Sequence, residues 1–189
     1  TEPIVLNSIG DIPSVLEIAA KRLQNPDGFQ IWWRGQADAT WELKPSSSRH
    51  YTDQEHEYGA NRYFQQKAGS RRATIPGRSD NLDWLCLMQH YGHPTRLLDW
   101  SESLLVGLFF AVYGSDASQL DKDGALWAMN PRLLNKFFVE LDRIANALHP
   151  EVQSIAGASF GIIPPQNVRT VAFAPDEFDL RMLLQQTVM

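Results

Sequence analysis

The sequence predicts an α+β fold, with a small mixed sheet flanked by helices in a single compact domain. Segments with helical periodicity and short segments rich in aromatic and β-branched residues both occur, without the strict alternation of a parallel β/α fold. With 189 residues, 43% of them hydrophobic, the chain is long enough for one well-buried core. We therefore expect one domain over residues 1–189, cut short at its carboxyl end, where the chain stops abruptly on Thr187-Val188-Met189.

The first predicted elements are a helix and a strand. Apolar residues recur at helical spacing over residues 12–23, which predicts an amphipathic helix. Residues 29–33 are aromatic and β-branched, as is typical of a strand. This strand is expected to deliver Arg34 at its end, and Gly35 would allow a tight bend there.

A helix, a loop and a second helix are predicted next. Residues 53–68 have a helical composition, whereas the Gly, Ser, Pro and Asn residues of 69–81 favour a loop. Residues 82–91 predict a helix that ends at Gly92, because a glycine just past a helix followed by Pro94 is a typical stop signal.

The longest apolar run predicts a further helix, from about Ser101 to Tyr113. Ser101 is a candidate N-cap, and the run is interpreted as a core segment. The residues expected on one face of this helix are Leu105, Leu108, Phe109 and Val112.

The last third of the chain predicts a strand at residues 124–129 and a helix that begins at Asn130-Pro131 and extends to residue 148. Residues 149–167 are expected to form a loop. Residues 168–173 favour a strand, and residues 178–189 favour a strand or a short helix.

Composition and charge limit the classes of function. The net charge of -5 argues against a protein that coats nucleic acid through bulk charge. One stretch, residues 61–79, has no acidic residue and can bind a nucleotide or nucleic acid, or form a solvated basic loop. Its basic residues are Arg62, Lys67, Arg71, Arg72 and Arg78. The single Cys86 excludes an internal disulfide, and no apolar run has membrane-spanning length, so a cytoplasmic protein is expected. Other domains or a regulatory protein are expected as partners.

Two clusters of polar and aromatic residues are the candidate functional sites. The first contains Trp33-Arg34-Gly35-Gln36 and continues through residues 41–49. The second, residues 89–100, combines two histidines, a threonine, an arginine, an aspartate and a tryptophan between two apolar runs. A plain connection between helices does not need so many donors and acceptors, which indicates a site.

Arg34 is the strongest single candidate. A guanidinium held by a strand can bind a phosphate or a carboxylate through two parallel hydrogen bonds. Trp33 can stack on a base or fill the core. The alternative for Arg34 is a buried ion pair that ties the strand to the second cluster.

The second cluster offers proton-transfer and anion-binding groups. His90 and His93 are candidates for proton transfer, or for hydrogen bonds that fix the loop. No metal is expected, because Gly92 separates the histidines and only Asp99 offers a third ligand. The hydroxyl of Thr95 lies beside Arg96 in the sequence, which suits an anion.

Arg96 has an alternative role, since it can form a structural bridge with Asp99. The helix predicted from Ser101 adds amides and a positive dipole end that favour negative charge, with Trp100 covering its start.

The two clusters together resemble the FRG domain, a bacterial family named for an aromatic-Arg-Gly motif. Here the motif is Trp33-Arg34-Gly35, and residues 89–100 match the family most strongly, with about residues 4–189 covered. The chain thus looks like a single FRG-like domain. A looser resemblance connects the order of its motifs to ADP-ribosyltransferases, and implies an ADP-ribosyltransferase-like fold with NAD as a substrate.

The resemblance to ADP-ribosyltransferases implies roles for individual residues. In that pattern an arginine at a strand holds the NAD phosphate, a Ser/Thr strand leads to a helix rich in Ala and Phe, and a C-terminal acid polarises the ribose. Arg34 matches the first element, Thr95 and Ser101 the second, and Glu177 or Asp179 the third.

The resulting assignments separate catalytic from cofactor-binding residues. The candidate catalytic residues are Arg34, His90, His93, Thr95 and Glu177. The candidate cofactor-binding residues are Trp33, Arg34, Gly35, Gln36, Arg49, Arg96, Asp99, Trp100 and Ser101.

Several hypotheses for function follow. The first is an NAD-using ADP-ribosyltransferase or NAD hydrolase that acts as a bacterial toxin or phage-defence effector. The second is a non-catalytic module that senses or binds a nucleotide or nucleic acid. The third is a histidine-dependent hydrolase or nuclease, and the last is a structural interaction domain.

Overall fold

A computed structural model describes residues 3–24, 30–70, 75–113, 122–162, 169–174 and 187–188. The helices are α1 (Ile12–Arg22), α2 (Ser46–His50), α3 (Gln54–Ala68), α4 (Asn81–His90), α5 (Leu104–Val112), α6 (Pro131–Val139) and α7 (Pro150–Ala158). The strands are β1 (Trp32–Gln36), β2 (Trp100–Ser101), β3 (Ala125–Met129), β4 (Ala145–Asn146), β5 (Phe173–Ala174) and β6 (Thr187–Val188).

A four-stranded antiparallel sheet with the order β3-β1-β2-β6 organises the fold. β1 lies in its interior, where Arg34 is opposite Trp127 of β3 and Trp33 is opposite Ser101 of β2. The parallel pair of β4 and β5 forms a separate sheet. The predicted α+β class is confirmed, with the two strand orientations in separate sheets.

Glycines allow α5 to lie directly on the sheet. A Cβ atom added to Gly35 would be 2.0 Å from the carbonyl oxygen of Gly107. A Cβ on Gly107 would be 2.9 Å from the Cβ of Trp33, and one on Gly124 would be 2.0 Å from the carbonyl oxygen of Ala111. Only glycine leaves room for the two backbones at these distances.

The position of Arg34 differs from the prediction. Arg34 and Gly35 lie inside β1, so the expected strand end and tight bend were wrong. Glycine is needed at position 35 because the backbones of β1 and α5 lie close together there, and not because the chain turns. The first expected strand residue, 29, lies outside the described residues.

The helix α5 also departs from expectation. It begins at Leu104, with Ser103 as N-cap, because Ser101 belongs to β2. Its buried positions are Gly107 and Ala111. Three of the larger side chains expected in the core, those of Leu105, Phe109 and Val112, are exposed, since the small residues are the ones that pack on the sheet, whereas Leu108 is half-buried. The exposed large residues of this segment are Leu105, Phe109, Phe110, Val112 and Tyr113.

Most other helices follow the prediction. α1, α3 and α4 are confirmed, and α4 is followed by Gly92 with a φ of 73°. Asn130 caps α6 by accepting hydrogen bonds from two backbone amides.

The C-terminal third shows the largest errors. α6 ends at Val139, before Glu140 in the left-handed conformation, so the helix does not reach residue 148. The expected loop was wrong over α7, which starts at Pro150. In the described part of the expected strand, residues 169–173, strand structure begins only at Phe173 with β5, and residue 168 lies outside the described residues.

Two hydrophobic clusters form the core. The first joins α3, α4 and α7 through residues such as Leu85, Met88 and Val152, and includes the buried Cys86. The second lies against β1 and contains Trp32 and Trp100. In the part of the chain that the structure describes, no helix has the length and apolar character needed to cross a membrane.

Candidate functional site

Arg34 connects the two predicted clusters. Its Nη1 donates a hydrogen bond of 2.5 Å to the backbone carbonyl of Asp99. Its buried Nε has no acceptor among the described residues. Burial lowers the pKa of Arg34, the Asp99 carboxylate acts in the opposite direction, and Arg49 lowers the pKa further. The guanidinium remains charged because an arginine is protonated at any physiological pH. The two predicted clusters therefore meet in space at this hydrogen bond.

Arg49 is the second cation at this position. It lies in the last turn of α2, is exposed, and is close enough for its charge to affect Arg34. Neither arginine forms an ion pair with a carboxylate of the described residues. We refer to Arg34 and Arg49 as the arginine pair. Two cations without a directly bound carboxylate are a suitable arrangement for an anion.

Hydrogen bonds to Thr95 hold α2 beside the 89–100 loop. The amide of Thr95 donates to Ser46 Oγ at 3.0 Å, and the amide of Ser47 donates to the Thr95 carbonyl at 3.0 Å. Thr95 is fully buried. α2 was not predicted, and its attachment to Thr95 is what places Arg49 near Arg34.

The Thr95 hydroxyl also organises its own loop. Its Oγ1 donates to Gln89 Oε1, and Gln89 Nε2 donates to Asp99 Oδ1 at 2.5 Å. The Leu97 amide donates back to Thr95 Oγ1 at 3.3 Å. These bonds fix the residue whose carbonyl accepts the Arg34 hydrogen bond. Thr95 therefore positions the site.

Arg96 forms a closed ion pair with Glu57 of α3. Its Nε is 2.7 Å from Glu57 Oε1 and its Nη2 is 2.6 Å from Oε2, a bidentate geometry. Burial lowers the pKa of Arg96, but the Glu57 carboxylate and Tyr58 together outweigh burial and hold the pKa above its ordinary value. The structural bridge considered as the alternative role of Arg96 is therefore made with Glu57 and not with Asp99. With Glu57 bound, Arg96 is also a poor ligand for a phosphate.

His93 belongs to a buried hydrogen-bond network. Asn61 Nδ2 donates to the Ser159 carbonyl at 2.7 Å, which orients its Oδ1 toward His93 Nε2 at 3.0 Å. Because that oxygen can only accept, Nε2 carries the proton in neutral His93. Tyr51 Oη lies 3.1 Å from the same nitrogen. Burial, and to a smaller extent His50, lowers the pKa of His93.

The other histidine of the loop is placed differently. His90 is exposed and meets the Tyr91 ring edge-on, at 5.2 Å between centroids. The described residues contain no group of three His, Cys, Asp or Glu side chains that could hold a metal ion.

The remaining candidate cofactor ligands are mostly packed in the sheet. Trp33 is 3% exposed and faces α5, and Trp100 packs in the second core cluster. Gln36 is buried and accepts a hydrogen bond of 2.6 Å from Trp127 Nε1. Ser101 is opposite Trp33, so it shares the α5 side of the sheet.

The basic residues of the predicted stretch are exposed where they are described. Arg62 donates to the Phe160 carbonyl at 3.2 Å, Lys67 lies 5.3 Å from the Tyr63 ring centroid, and Arg78 is exposed. Arg71, Arg72 and Glu177 lie outside the described residues.

Sequence reasoning missed Glu57, Asn61 and Tyr51. A signal for two of them was present: Glu57, Asn61, Phe64 and Ala68 recur at the spacing of one helix face. Reading that spacing as a buried stripe would have marked Glu57 and Asn61 as buried polar residues that need partners.

A cleft of about 770 Å³ opens on the side of the sheet away from α5. Its walls are mainly apolar, and its lining residues include Leu43, Leu97, Leu98, Trp100, Met129 and Leu134. Trp127, the cross-strand partner of Arg34, also lines it, whereas Arg34 does not. The cleft and the arginine pair are therefore neighbouring but separate features.

Fold and site together define a small α+β domain built around an arginine on an interior strand. Residues 30–120 match the family model of the FRG domain, and the chain therefore carries an FRG domain. The match includes both clusters and ends after α5. No curated protein and no solved structure matches the chain.

Proposed function

We propose that this FRG domain is an ADP-ribosyltransferase-like module that uses NAD, as an effector in a bacterial toxin or phage-defence system. The observation that carries the proposal is the arginine pair, in which Arg34 donates only to a backbone carbonyl and Arg49 has no ion-pair partner among the described residues. A pyrophosphate carries the charge and the acceptor oxygens that such a pair leaves unmatched.

The order of the strands supports the same proposal. The ADP-ribosyltransferase pattern uses an arginine strand, a strand that leads into an Ala- and Phe-containing helix, and a C-terminal acidic residue. Here β1 carries Arg34, β2 leads into α5, and β6 near the C-terminus pairs with β2. Elements far apart in the sequence thus become neighbours in the order β1-β2-β6.

The proposed reaction is a substitution at the ribose of NAD. The bond between ribose C1′ and the nicotinamide nitrogen breaks, nicotinamide leaves with the electron pair, and a nucleophile forms a bond to C1′. Water gives hydrolysis, whereas a side chain or a nucleic acid gives transfer. Arg34 and Arg49 would hold the pyrophosphate in place, and Glu177 is the proposed acid for the ribose.

The test is incubation of the protein with NAD labelled separately in the nicotinamide and the adenine halves. We expect release of nicotinamide, with the adenine label on a macromolecule or in free ADP-ribose. Arg34→Lys and Arg49→Gln should each reduce release at least tenfold. The control Arg132→Lys alters an exposed arginine that is paired with Asp142 and should leave release unchanged.

Two outcomes would oppose the proposal. If NAD binds but is not cleaved, the domain is a nucleotide-binding module. If NAD is cleaved equally well by all four proteins, the arginine pair is not the site of the reaction.

A further inference from the structure

The apolar cleft on the open side of the sheet has no role in the function proposed above. Its volume of about 770 Å³ lies in the range of small-molecule pockets, about 300–1,000 Å³. Leucine side chains from the loops and α6, together with Trp100 and Met129, line it. Such walls favour a ligand with an apolar body, either an aromatic ring system or a hydrocarbon chain, because binding removes apolar surface from water.

The interior of the cleft does not favour a charged group. The charged side chains of Glu57 and Arg96 line it but neutralise each other in a bidentate pair, with 6% and 17% of their side chains exposed. An ion placed there would lose its hydration without gaining an opposite charge.

The mouth of the cleft differs from its interior, because it contains a positive charge, Arg169, that no described residue neutralises. Two charged residues of the lining are exposed, Asp53 and Arg169. Asp53 accepts a hydrogen bond of 2.9 Å from the His56 amide as the cap of α3, and it contacts the His56 ring. Arg169 has no hydrogen bond or ion pair with the residues of the described ranges.

We propose that this cleft binds an amphipathic small molecule, with its apolar body against the leucine and tryptophan walls and a single anionic end at Arg169. The proposal does not depend on NAD, because neither Arg34 nor Arg49 lines the cleft.

The test uses two fluorescent probes with the same ring skeleton. Anilinonaphthalene sulfonate carries one anionic group, whereas phenylnaphthylamine is uncharged, and both brighten in apolar surroundings. We expect saturable binding of one equivalent of each, with the sulfonate bound at least fivefold more tightly. Arg169→Gln should remove that difference by weakening only the sulfonate.

A matched pair of substitutions on α7 locates the binding. Ile155 lines the cleft, so Ile155→Trp should weaken both probes at least tenfold. The neighbouring Ser154 does not line it, so Ser154→Trp should leave both affinities unchanged. Melting curves of each variant separate loss of binding from loss of folding.

Three results would overturn the proposal. They are the absence of saturable binding of either probe, equal affinity for the two probes in the unmodified protein, and retained binding in a folded Ile155→Trp variant. Loss of NAD cleavage in Arg34→Lys with unchanged probe binding would separate this site from the arginine pair.

Discussion

Arg34 Nη1 donates a hydrogen bond of 2.5 Å to the backbone carbonyl of Asp99, across 65 residues of sequence. A carbonyl accepts the bond without supplying a full negative charge. The hydrogen bond thereby holds Arg34 in position without neutralising its charge, and Arg49 places a second positive charge near it. A bound anion is the simplest partner for such an arrangement.

Gly35→Ala should destabilise the domain severely. The new methyl group would lie 2.0 Å from the Gly107 carbonyl oxygen, so α5 would have to move off the sheet. We expect a loss of at least about 3 kcal/mol in the free energy of unfolding, or failure to fold. Denaturant titration measures it.

Gly59→Ala is the matched control for that substitution. Gly59 lies inside α3 with nothing within 4 Å of an added Cβ, so alanine should stabilise the helix by about 0.5–1 kcal/mol. Equal effects at the two glycines would contradict the close packing of α5 on β1.

Glu57→Gln should destabilise the protein by about 3 kcal/mol, because Arg96 would remain buried without its counter-charge. Asp142→Asn removes a carboxylate from an exposed pair with Arg132 and should cost less than about 1 kcal/mol. Chemical denaturation of both variants checks this. A cost for Glu57→Gln as small as that of the control would mean that the ion pair is not the main constraint on Arg96.

Stability should fall as the pH is lowered through about 6.5, because burial lowers the pKa of His93 from its ordinary 6.5. The unfolded chain then binds a proton that the folded protein excludes, and protons therefore favour unfolding. In the His93→Gln variant, the glutamine amide can still donate a hydrogen bond to Asn61. The melting temperature of this variant should therefore change less between pH 7 and pH 5 than that of the unmodified protein. A wild-type profile equal to that of the variant would refute this role.

The sequence was sufficient for the elements with strong periodic patterns. α1 was predicted from helical spacing, α3 from its composition and α4 from the stop signal that follows it, and the FRG resemblance was carried by residues 89–100. The site was predicted in part, because both clusters were recognised as candidate sites from their residues and Arg34 of the first contacts the loop of the second.

The remaining features depend on tertiary packing. The apolar run of α5 indicates a buried helix, but Gly35 and Gly107 bring its small residues to the sheet and leave Phe109 exposed. The alternative partner considered for Arg96 was its sequence neighbour Asp99, whereas the fold supplies Glu57 from α3. No local pattern distinguishes these alternatives.

Arg34→Lys should fold with a melting temperature close to that of the unmodified protein, since lysine can still donate to the Asp99 carbonyl. It should nevertheless bind an anion more weakly, because lysine lacks the planar fork that binds two phosphate oxygens. Each tenfold loss of affinity corresponds to about 1.4 kcal/mol in the free energy of binding. A melting temperature far below that of the unmodified protein would instead assign Arg34 a purely structural role.

Calorimetric titration of NAD into the unmodified protein and into Arg34→Lys tests the anion site most directly. We predict saturable binding to the unmodified protein and at least tenfold weaker binding to the folded variant. The account would be contradicted if NAD, ATP and a short oligonucleotide all gave no heat of binding at concentrations up to about millimolar. A dissociation constant of that size corresponds to a free energy of binding of about -4 kcal/mol. Equal affinity of the two proteins for NAD would contradict the account as well.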